Sequence, residues 1–150
     1  MKTAFSGGRE LEQALRELKR ATAKAVGRRV LKKAGQIFAD RANDLAPEGP
    51  GHHLKGSYVV GTKLTRRQAG MARREGRDDV TVYAGTSDPA GMQQEFGNER
   101  HGPQAHARPA WDQTQQNVFE VVQEGMAAEV EKTVARQRRR AAKAAKRNGG

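Results

Sequence analysis

Residues 92–111 read MQQEFGNERHGPQAHARPAW, and this stretch decides how the chain is interpreted. Its first five residues predict a short strand, which ends at the EFG triplet of residues 95–97. A loop rich in glycine, proline and histidine follows. The RPAW run of residues 108–111 predicts the start of a long helix, because proline is tolerated in a first helical turn. No catalytic set lies within the stretch, so it predicts a docking segment in which Glu95 accepts hydrogen bonds from loop N–H groups or an arginine.

The bulk composition limits what the chain can build. Its 150 residues predict one domain. Hydrophobic residues make up 35% and charged residues 30%, which is a sparse supply of core for this length. We therefore expect part of the chain to lie outside any packed globule, and burial against copies of itself or other proteins to add stability.

The charge balance favours acidic partners. Lys and Arg number 28 against 17 Asp and Glu, and the resulting net charge of +11 favours polyanions, nucleic acid first. The alternative is that the excess, much of it in one loop and one tail, only keeps those segments solvated. Neither segment has interleaved aromatic residues, so base stacking and recognition of a base sequence are not indicated.

Two absences exclude several classes of protein. Without cysteine there are no disulfides, thiolate metal sites or cysteine nucleophiles. No run is apolar for long enough to span a bilayer, and the first residues lack the apolar core of a signal peptide. We expect no membrane partner, and a protein that is made and kept in a cytoplasm or packed into a particle assembled there.

Helical periodicity dominates the first 46 residues. Leucines recur at helical spacing from Arg9 onward, and a second apolar stripe runs from Val30 to Leu45. This second helix must end near Ala46, because Pro47 disfavours helical geometry in the residue before it. Gly27 interrupts the pattern, which leaves open one long bent helix or a helical pair.

Two segments predict paired strands. Residues 57–64 (SYVVGTKL) alternate in polarity, and residues 80–86 (VTVYAGT) are rich in β-branched and aromatic side chains. The connection between them, residues 65–79, is too polar for a core, so we expect a long projecting hairpin loop. Its candidate contacts to DNA or to a channel wall are five arginines: Arg66, Arg67, Arg73, Arg74 and Arg77.

A third helix is predicted after Pro109, with a narrow apolar stripe from Trp111 to Val130. The alanine- and arginine-rich segment after it predicts a frayed or solvent-exposed basic helical tail, since alanine favours helix but nothing large is left to bury. The elements together predict an α+β fold: a small, mostly antiparallel sheet packed by two or three helices, with the projecting loop and the basic extension. The expected division is a flexible N-terminus (1–8), one domain (9–131) and the tail (132–150).

No residue set predicts catalysis, a metal or a cofactor. Zinc sites need three or four converging ligands, and the four histidines are interpreted as solvated loop residues: His52, His53, His101 and His106. The carboxylates form no recognisable acid–base pair, and the 17 glycines lack the spacing of a phosphate-binding loop. Trp111, the single tryptophan, is predicted either to cap the core or to anchor a subunit interface, with core packing favoured.

Several short motifs, in order, resemble one known family. They are Leu45-Ala46-Pro47, then Leu54, Gly56 and Ser57, then Glu95-Phe96-Gly97, and finally Arg108-Pro109-Ala110 before an amphipathic helix. The chain resembles, over about Val30–Val130, the head–tail joining or tail-completion proteins of long-tailed double-stranded-DNA phages, the gene-product-ten-like tail-component family. The family also occurs in prophages and gene transfer agents.

The chain departs from the family pattern at three places. The Thr-Gly step before Leu54 is degraded, and Asn98 replaces the threonine that usually follows Glu-Phe-Gly. Residues 105–107 (AHA) stand where Pro-Phe-Leu is usual, so the bulky anchor before Arg108 is expected to be missing.

The resemblance implies a virion structural protein without enzymatic activity or cofactor. Such proteins form a ring, commonly six-fold, at the neck of the particle, and double-stranded DNA passes through it. The implied partners are further copies of the chain, the adaptor or stopper ring, and the tail terminator or tail tube. The expected docking residues are Glu95, Phe96, Gly97, Arg108, Pro109 and Trp111.

A rival interpretation is a small basic protein that binds nucleic acid without regard to sequence. It accounts for the charge, but it leaves residues 95–111 unexplained. The two are distinguished by measuring duplex-DNA binding against salt alongside sedimentation without DNA.

Overall fold

The computed structural model describes residues 8–51, 53–76 and 78–149. Within these residues it contains five helices and two strands, so the expected α+β class is confirmed, although helices dominate. In chain order the elements are α1 (Gly8–Glu17), α2 (Arg20–Leu45), β1 (Val59–Gly61), α3 (Arg66–Ala72), β2 (Tyr83–Gly85), α4 (Pro89–Phe96) and α5 (Ala107–Asn148). The expectation of a flexible N-terminus falls almost entirely on residues outside the described ranges.

The centre of the fold is an antiparallel pair formed by α2 and α5. Arg41 Nε donates to Gln113 Oε1 at 2.7 Å, whereas Arg29, earlier in α2, pairs with Glu129, later in α5, at 3.2 Å. Small residues let the two helices approach closely. A Cβ on Gly125 would lie only 3.1 Å from Val30 Cγ1, which is tighter than ordinary van der Waals contact.

The helical break lies at Leu18 and Lys19 rather than at Gly27. Of the two alternatives, the helical pair is therefore the observed one. Leu18 is buried with Ala14, Val26 and Val130, so α1 packs on the α2–α5 pair. Gly27 lies inside α2 and is buried. Val80 packs over it, so that a Cβ on Gly27 would lie 3.7 Å from Val80 Cγ2.

The end of α2 agrees with the prediction. Ala46, directly before Pro47, leaves helical geometry with ψ 132°. Asn43 in the last turn then fixes the following segment: its Oδ1 accepts the N–H groups of Gly56 and Tyr58, each at 2.9 Å. Its Nδ2 donates to the Tyr58 carbonyl at 3.0 Å, so one side chain positions the chain entering β1.

The sheet is a two-stranded antiparallel hairpin. Val59 pairs with Gly85 and Gly61 with Tyr83. The predicted pairing is confirmed, but each strand has three residues and is shorter than the predicted segment. The connection is not a loop throughout, because residues 66–72 form α3, which buries none of its described residues. Thr65 caps this helix and accepts the N–H of Gln68 at 3.2 Å.

The strand predicted over residues 92–96 is wrong, because these residues belong to α4. Asp88 is the N-cap, and its Oδ1 accepts the N–H of Ala90 at 2.9 Å. Pro89 follows at the first helical position, where its missing N–H costs nothing. The Asp-Pro pair is therefore the start signal of a helix.

Candidate docking surface

Glu95 on α4 caps the N-terminus of α5. Its Oε2 accepts the backbone N–H groups of His106 and Ala107, both at 2.8 Å, and its Oε1 accepts that of Arg108 at 3.1 Å. The first N–H groups of a helix have no acceptor within the helix, and a negative charge there also suits the helix dipole. The prediction that Glu95 accepts loop N–H groups is confirmed, although it extends from a helix and not from a strand end.

The surroundings of Glu95 favour its ionised form. Burial opposes ionisation, but the three backbone donors and the neighbouring His106 outweigh it, so the pKa of the Glu95 carboxyl is lowered. The side chain is only 6% exposed. A charge so enclosed persists because its partners are fixed amide groups, and in this position it supports the start of α5.

His106 is fully buried next to Glu95, so its interpretation as a solvated loop residue is wrong. Its Nδ1 lies 3.2 Å from the Gln104 carbonyl, which can only accept, so this nitrogen carries the proton. Its Nε2 lies 2.8 Å from the Tyr58 hydroxyl, which can donate or accept. Burial, with the charge of Glu95, raises the pKa of Tyr58 to about 12. The expectation of a missing anchor before Arg108 is corrected, because His106 fills that place.

The other histidines lie apart from this group. His53 is exposed and pairs with Asp88, and this hydrogen bond lowers the pKa of the Asp88 carboxyl. His101 Nδ1 lies 2.9 Å from the Gly102 carbonyl. His52 is outside the described residues. Among the residues that are described, no group of three or more His, Asp or Glu could hold a metal ion.

The loop after α4 folds back over that helix. Gly97 has φ 78°, and a Cβ there would lie 2.9 Å from the Pro103 nitrogen, so glycine is required by both conformation and space. Asn98 Oδ1 accepts the N–H groups of Arg100 at 2.8 Å and His101 at 3.1 Å. The Gln104 N–H donates to the Gln94 carbonyl at 2.6 Å. The loop is thus a compact support for the start of α5.

An open apolar groove runs between α2, α4, α5 and β2, with a volume of about 1360 Å³. Its rim carries large apolar side chains that remain exposed: Met92 at 71%, Phe96 at 61% and Trp111 at 46%. The Arg108 guanidinium lies 5.0 Å from the centre of the Phe96 ring, a cation–π contact at the edge of the groove. Large apolar side chains that line the groove include Leu31, Phe38, Val82, Met92, Phe96, Trp111, Val118 and Val122.

Trp111 packs on the core with one part of its side chain and leaves the other part exposed. Its ring meets Phe38 edge-to-face at 6.1 Å, and Phe38 meets Tyr58 in the same way at 6.2 Å. These contacts connect Trp111 to the buried core. Nearly half of the side chain is nevertheless exposed in the apolar groove, where another molecule could cover it.

The predicted docking residues divide into two groups. All five of Glu95, Phe96, Gly97, Arg108 and Trp111 line the apolar groove. Glu95 and Gly97 also support the start of α5, whereas Phe96, Arg108 and Trp111 present large exposed side chains. Pro109 is half-buried in the first turn of α5. Sequence reasoning missed His106 and the groove residue Met92, the latter because it was assigned to a strand.

The loop arginines occupy a different part of the molecule. Arg66 and Arg67 start α3, Arg73 and Arg74 follow it, and all four are exposed. Arg77 lies outside the described residues. None of the four described arginines lines the apolar groove, so the two sets of candidate residues are not brought together.

A comparison with known families now bears on this geometry. The family model described as "Bacteriophage HK97-gp10, putative tail-component" matches residues 9–106, about two thirds of the chain. The chain belongs to the HK97-gp10-like family of phage tail components. The HK97-gp10-like match confirms the resemblance inferred from short motifs, and it runs from α1 through the Glu95-Phe96-Gly97 triplet to the residue before α5.

The HK97-gp10-like match begins earlier and ends earlier than the expected span of Val30–Val130. The Arg108-Pro109-Ala110 motif and all of α5 therefore lie beyond it. No curated protein and no solved structure matches the chain significantly. In the part of the chain that the structure describes, no helix is both long and apolar enough to cross a membrane.

Proposed function

We propose that this HK97-gp10-like chain is a structural neck protein, without enzymatic activity, that closes into a homo-oligomeric ring between the head portal and the tail. Family membership supports a place in the virion. The ring would meet the adaptor or stopper on one side and the tail terminator or tail tube on the other, with double-stranded DNA passing through it. A six-fold ring follows from the resemblance, and assembly would occur in the bacterial cytoplasm.

The apolar groove is the observation that carries this proposal. Aromatic residues, methionine and arginine are enriched where proteins bind each other, and Phe96, Trp111, Met92 and Arg108 meet at this rim. The occupant that we propose is a neighbouring copy of the same chain. A closed ring joins two different faces of the subunit, and Phe119 on α5, 58% exposed and outside the groove lining, provides a second apolar contact site.

Measuring the oligomeric state of the purified chain tests the proposal. Light scattering and negative-stain electron microscopy should show a closed ring at high protein concentration. A chain that stays monomeric throughout the accessible range, and that is absent from the neck of phage-like particles, would contradict the ring.

The rival function, a monomeric protein that binds nucleic acid, is favoured by the basic end of α5. It predicts a single sedimenting species and tight DNA binding that weakens steeply with salt. The candidate channel contacts of the neck-protein proposal remain Arg66, Arg67, Arg73 and Arg74, with Arg77 beyond the described residues. Replacing them should leave ring assembly intact and alter DNA retention or passage.

A further inference from the structure

The last third of α5 leaves the body of the protein. From Ala135 to Asn148 every residue is exposed, and α5 stays helical throughout. We call residues 135–148 the basic arm; as a helix of 14 residues it is about 21 Å long. Seven cations lie on it, and no Asp or Glu follows Glu131 in the sequence. The arm lies outside the family match.

The cations of the basic arm share one face. At 3.6 residues per turn, six of them fall within an arc of about 120°. These six are Arg136, Arg139, Arg140, Lys143, Lys146 and Arg147, and Arg138 alone lies on the other side. They span an axial length of about 17 Å, or one charge every 3 Å or so. The phosphates along one strand of duplex DNA have a similar axial spacing of about 3.4 Å.

This arrangement is unfavourable without a partner. Arg136 and Arg140, Arg139 and Lys143, and Lys143 and Arg147 are each four residues apart, so like charges face each other on consecutive turns. Only the favourable interaction of the last cations with the helix dipole opposes this repulsion. A polyanion along the face would relieve it.

The remaining side chains of the arm indicate which kind of polyanion fits it. Its other faces carry mainly alanine, with Gln137 and Asn148. A helix lying on a membrane needs large apolar residues opposite its cations, and the arm has none. It also lacks aromatic residues to stack on single-stranded bases or to anchor a protein interface. The phosphate backbone of a duplex requires only the charges.

We infer that the basic face of the arm binds the phosphate backbone of duplex DNA without sequence preference. The inference rests on the proposed function for the source of that DNA, the genome passing from head to tail. The arm is better suited than the loop between the strands. Residues 65–79 set five arginines against Glu75, Asp78 and Asp79, and Asp78 already pairs with Arg20 at 2.6 Å.

Two variants that each remove four positive charges test this assignment. The arm variant carries Arg136→Gln, Arg140→Gln, Lys143→Gln and Arg147→Gln; the loop variant carries Arg66→Gln, Arg67→Gln, Arg73→Gln and Arg74→Gln. Binding of the full-length proteins to a random-sequence 30-base-pair duplex is followed by fluorescence anisotropy over a range of NaCl concentrations. Each lost phosphate contact lowers the slope of log K against log salt by about 0.9, so the arm variant should lose up to about 3.6.

A finer pair of variants tests the face. Arg140→Gln should lower the slope by about 0.9, whereas Arg138→Gln, with the same change in net charge, should leave it nearly unchanged. Equal effects of the two would overturn the assignment of a face. A wild-type protein that does not bind the duplex, or an arm variant that binds like wild type, would overturn the inference. So would equal loss of binding in the loop variant.

Other polyanions serve as competitors. The wild-type protein is titrated with phosphatidylserine vesicles and with polyglutamate at the same salt concentration. Stronger binding to either one than to the duplex would overturn the choice of DNA. The oligomeric state is measured in the same samples. Rings without DNA binding would reject only this inference, and DNA binding by a monomer would reject the neck-protein proposal instead.

Discussion

Glu95 and Arg108 are joined twice, because the carboxylate accepts the Arg108 backbone N–H at 3.1 Å and also lies 3.4 Å from its Nε. The side chain of Arg108 continues over the Phe96 ring. Two residues of the triplet 95–97 therefore hold Arg108 at the start of α5. Glu95 binds the backbone N–H of Arg108 from inside, and Phe96 contacts its guanidinium at the surface. The groove rim and the helix cap form one unit.

Removing the Glu95 carboxylate should destabilise the protein. Glu95→Ala leaves three amide groups without an acceptor, two of them on His106 and Ala107. Loss of a helix cap costs about 1–2 kcal/mol, and further cost arises where the freed donors stay buried. Urea unfolding followed by circular dichroism gives the difference. Glu99→Ala, at an exposed position in the following loop, is the control and should change stability little.

The lowered pKa of Glu95 predicts that the stability of the protein depends on pH in the acidic range. Because the pKa of this carboxylate is lower in the folded protein than in the unfolded chain, its contribution is fully present at neutral pH and is lost as pH falls through the folded pKa. The stability difference between wild type and Glu95→Gln should therefore shrink below about pH 4, where unfolded glutamate begins to protonate. Melting temperatures at several pH values check this, and a difference that grows in acid would contradict it.

Gly97→Ala should be costly because two effects combine. The positive φ is unfavourable for alanine, and the new methyl group would press on the backbone at Pro103. We expect a loss of at least about 1 kcal/mol. Gly56→Ala isolates the first effect, since Gly56 also has a positive φ (91°) but has open space around it. Equal losses at the two sites would show that the close approach to Pro103 contributes nothing.

Tyr58→Phe should expose the dependence of the core on one hydroxyl. It removes the hydrogen-bond partner of His106 Nε2 on a fully buried side chain, and an unpaired buried polar group costs about 1–3 kcal/mol. Tyr83→Phe in β2 is the matched control, because Tyr83 is only half-buried. Thermal unfolding of the two variants measures the difference, and a tolerant Tyr58 site would mean that His106 finds another partner.

Two exposed methionines test the groove as a subunit contact. Met92 lines the apolar groove and is 71% exposed, whereas Met71 on α3 is 51% exposed and lies outside the groove lining. Met92→Glu should prevent ring assembly without altering the melting temperature of the monomer, because it puts a charge into the proposed interface. Met71→Glu should assemble normally. Light scattering decides, and rings formed equally by both variants would exclude the groove.

The long periodic segments were the predictable part of this fold. Each of these segments is determined by residues close in the sequence. The apolar stripe of α2 specifies the helix, Pro47 ends it, and the alternating residues of the hairpin specify the strands. Helix α4 was missed because eight residues are too few to show a helical period, so its second half was predicted as a strand. The helix α3 was missed because its polar sequence has no stripe to reveal it.

The candidate docking surface was predictable from sequence only at positions where the residue type has few possible structural roles. A glutamate at the end of a predicted strand, directly before a loop, suggested an acceptor for loop N–H groups, and the structure confirms such an acceptor. His106 gave no such signal, since its burial depends on Tyr58, which is 48 residues away. The groove likewise arises from four elements meeting in space. No local pattern encodes such a meeting.

The 42 residues of α5 form one uninterrupted helix, about 63 Å long. Its capped end borders the groove, and its far end carries the basic arm. A neighbour that tilted this helix by 10° at Trp111 would swing Arg140, about 44 Å further along, through roughly 8 Å. The helix would thus transmit closure of the proposed ring to the position of the basic arm.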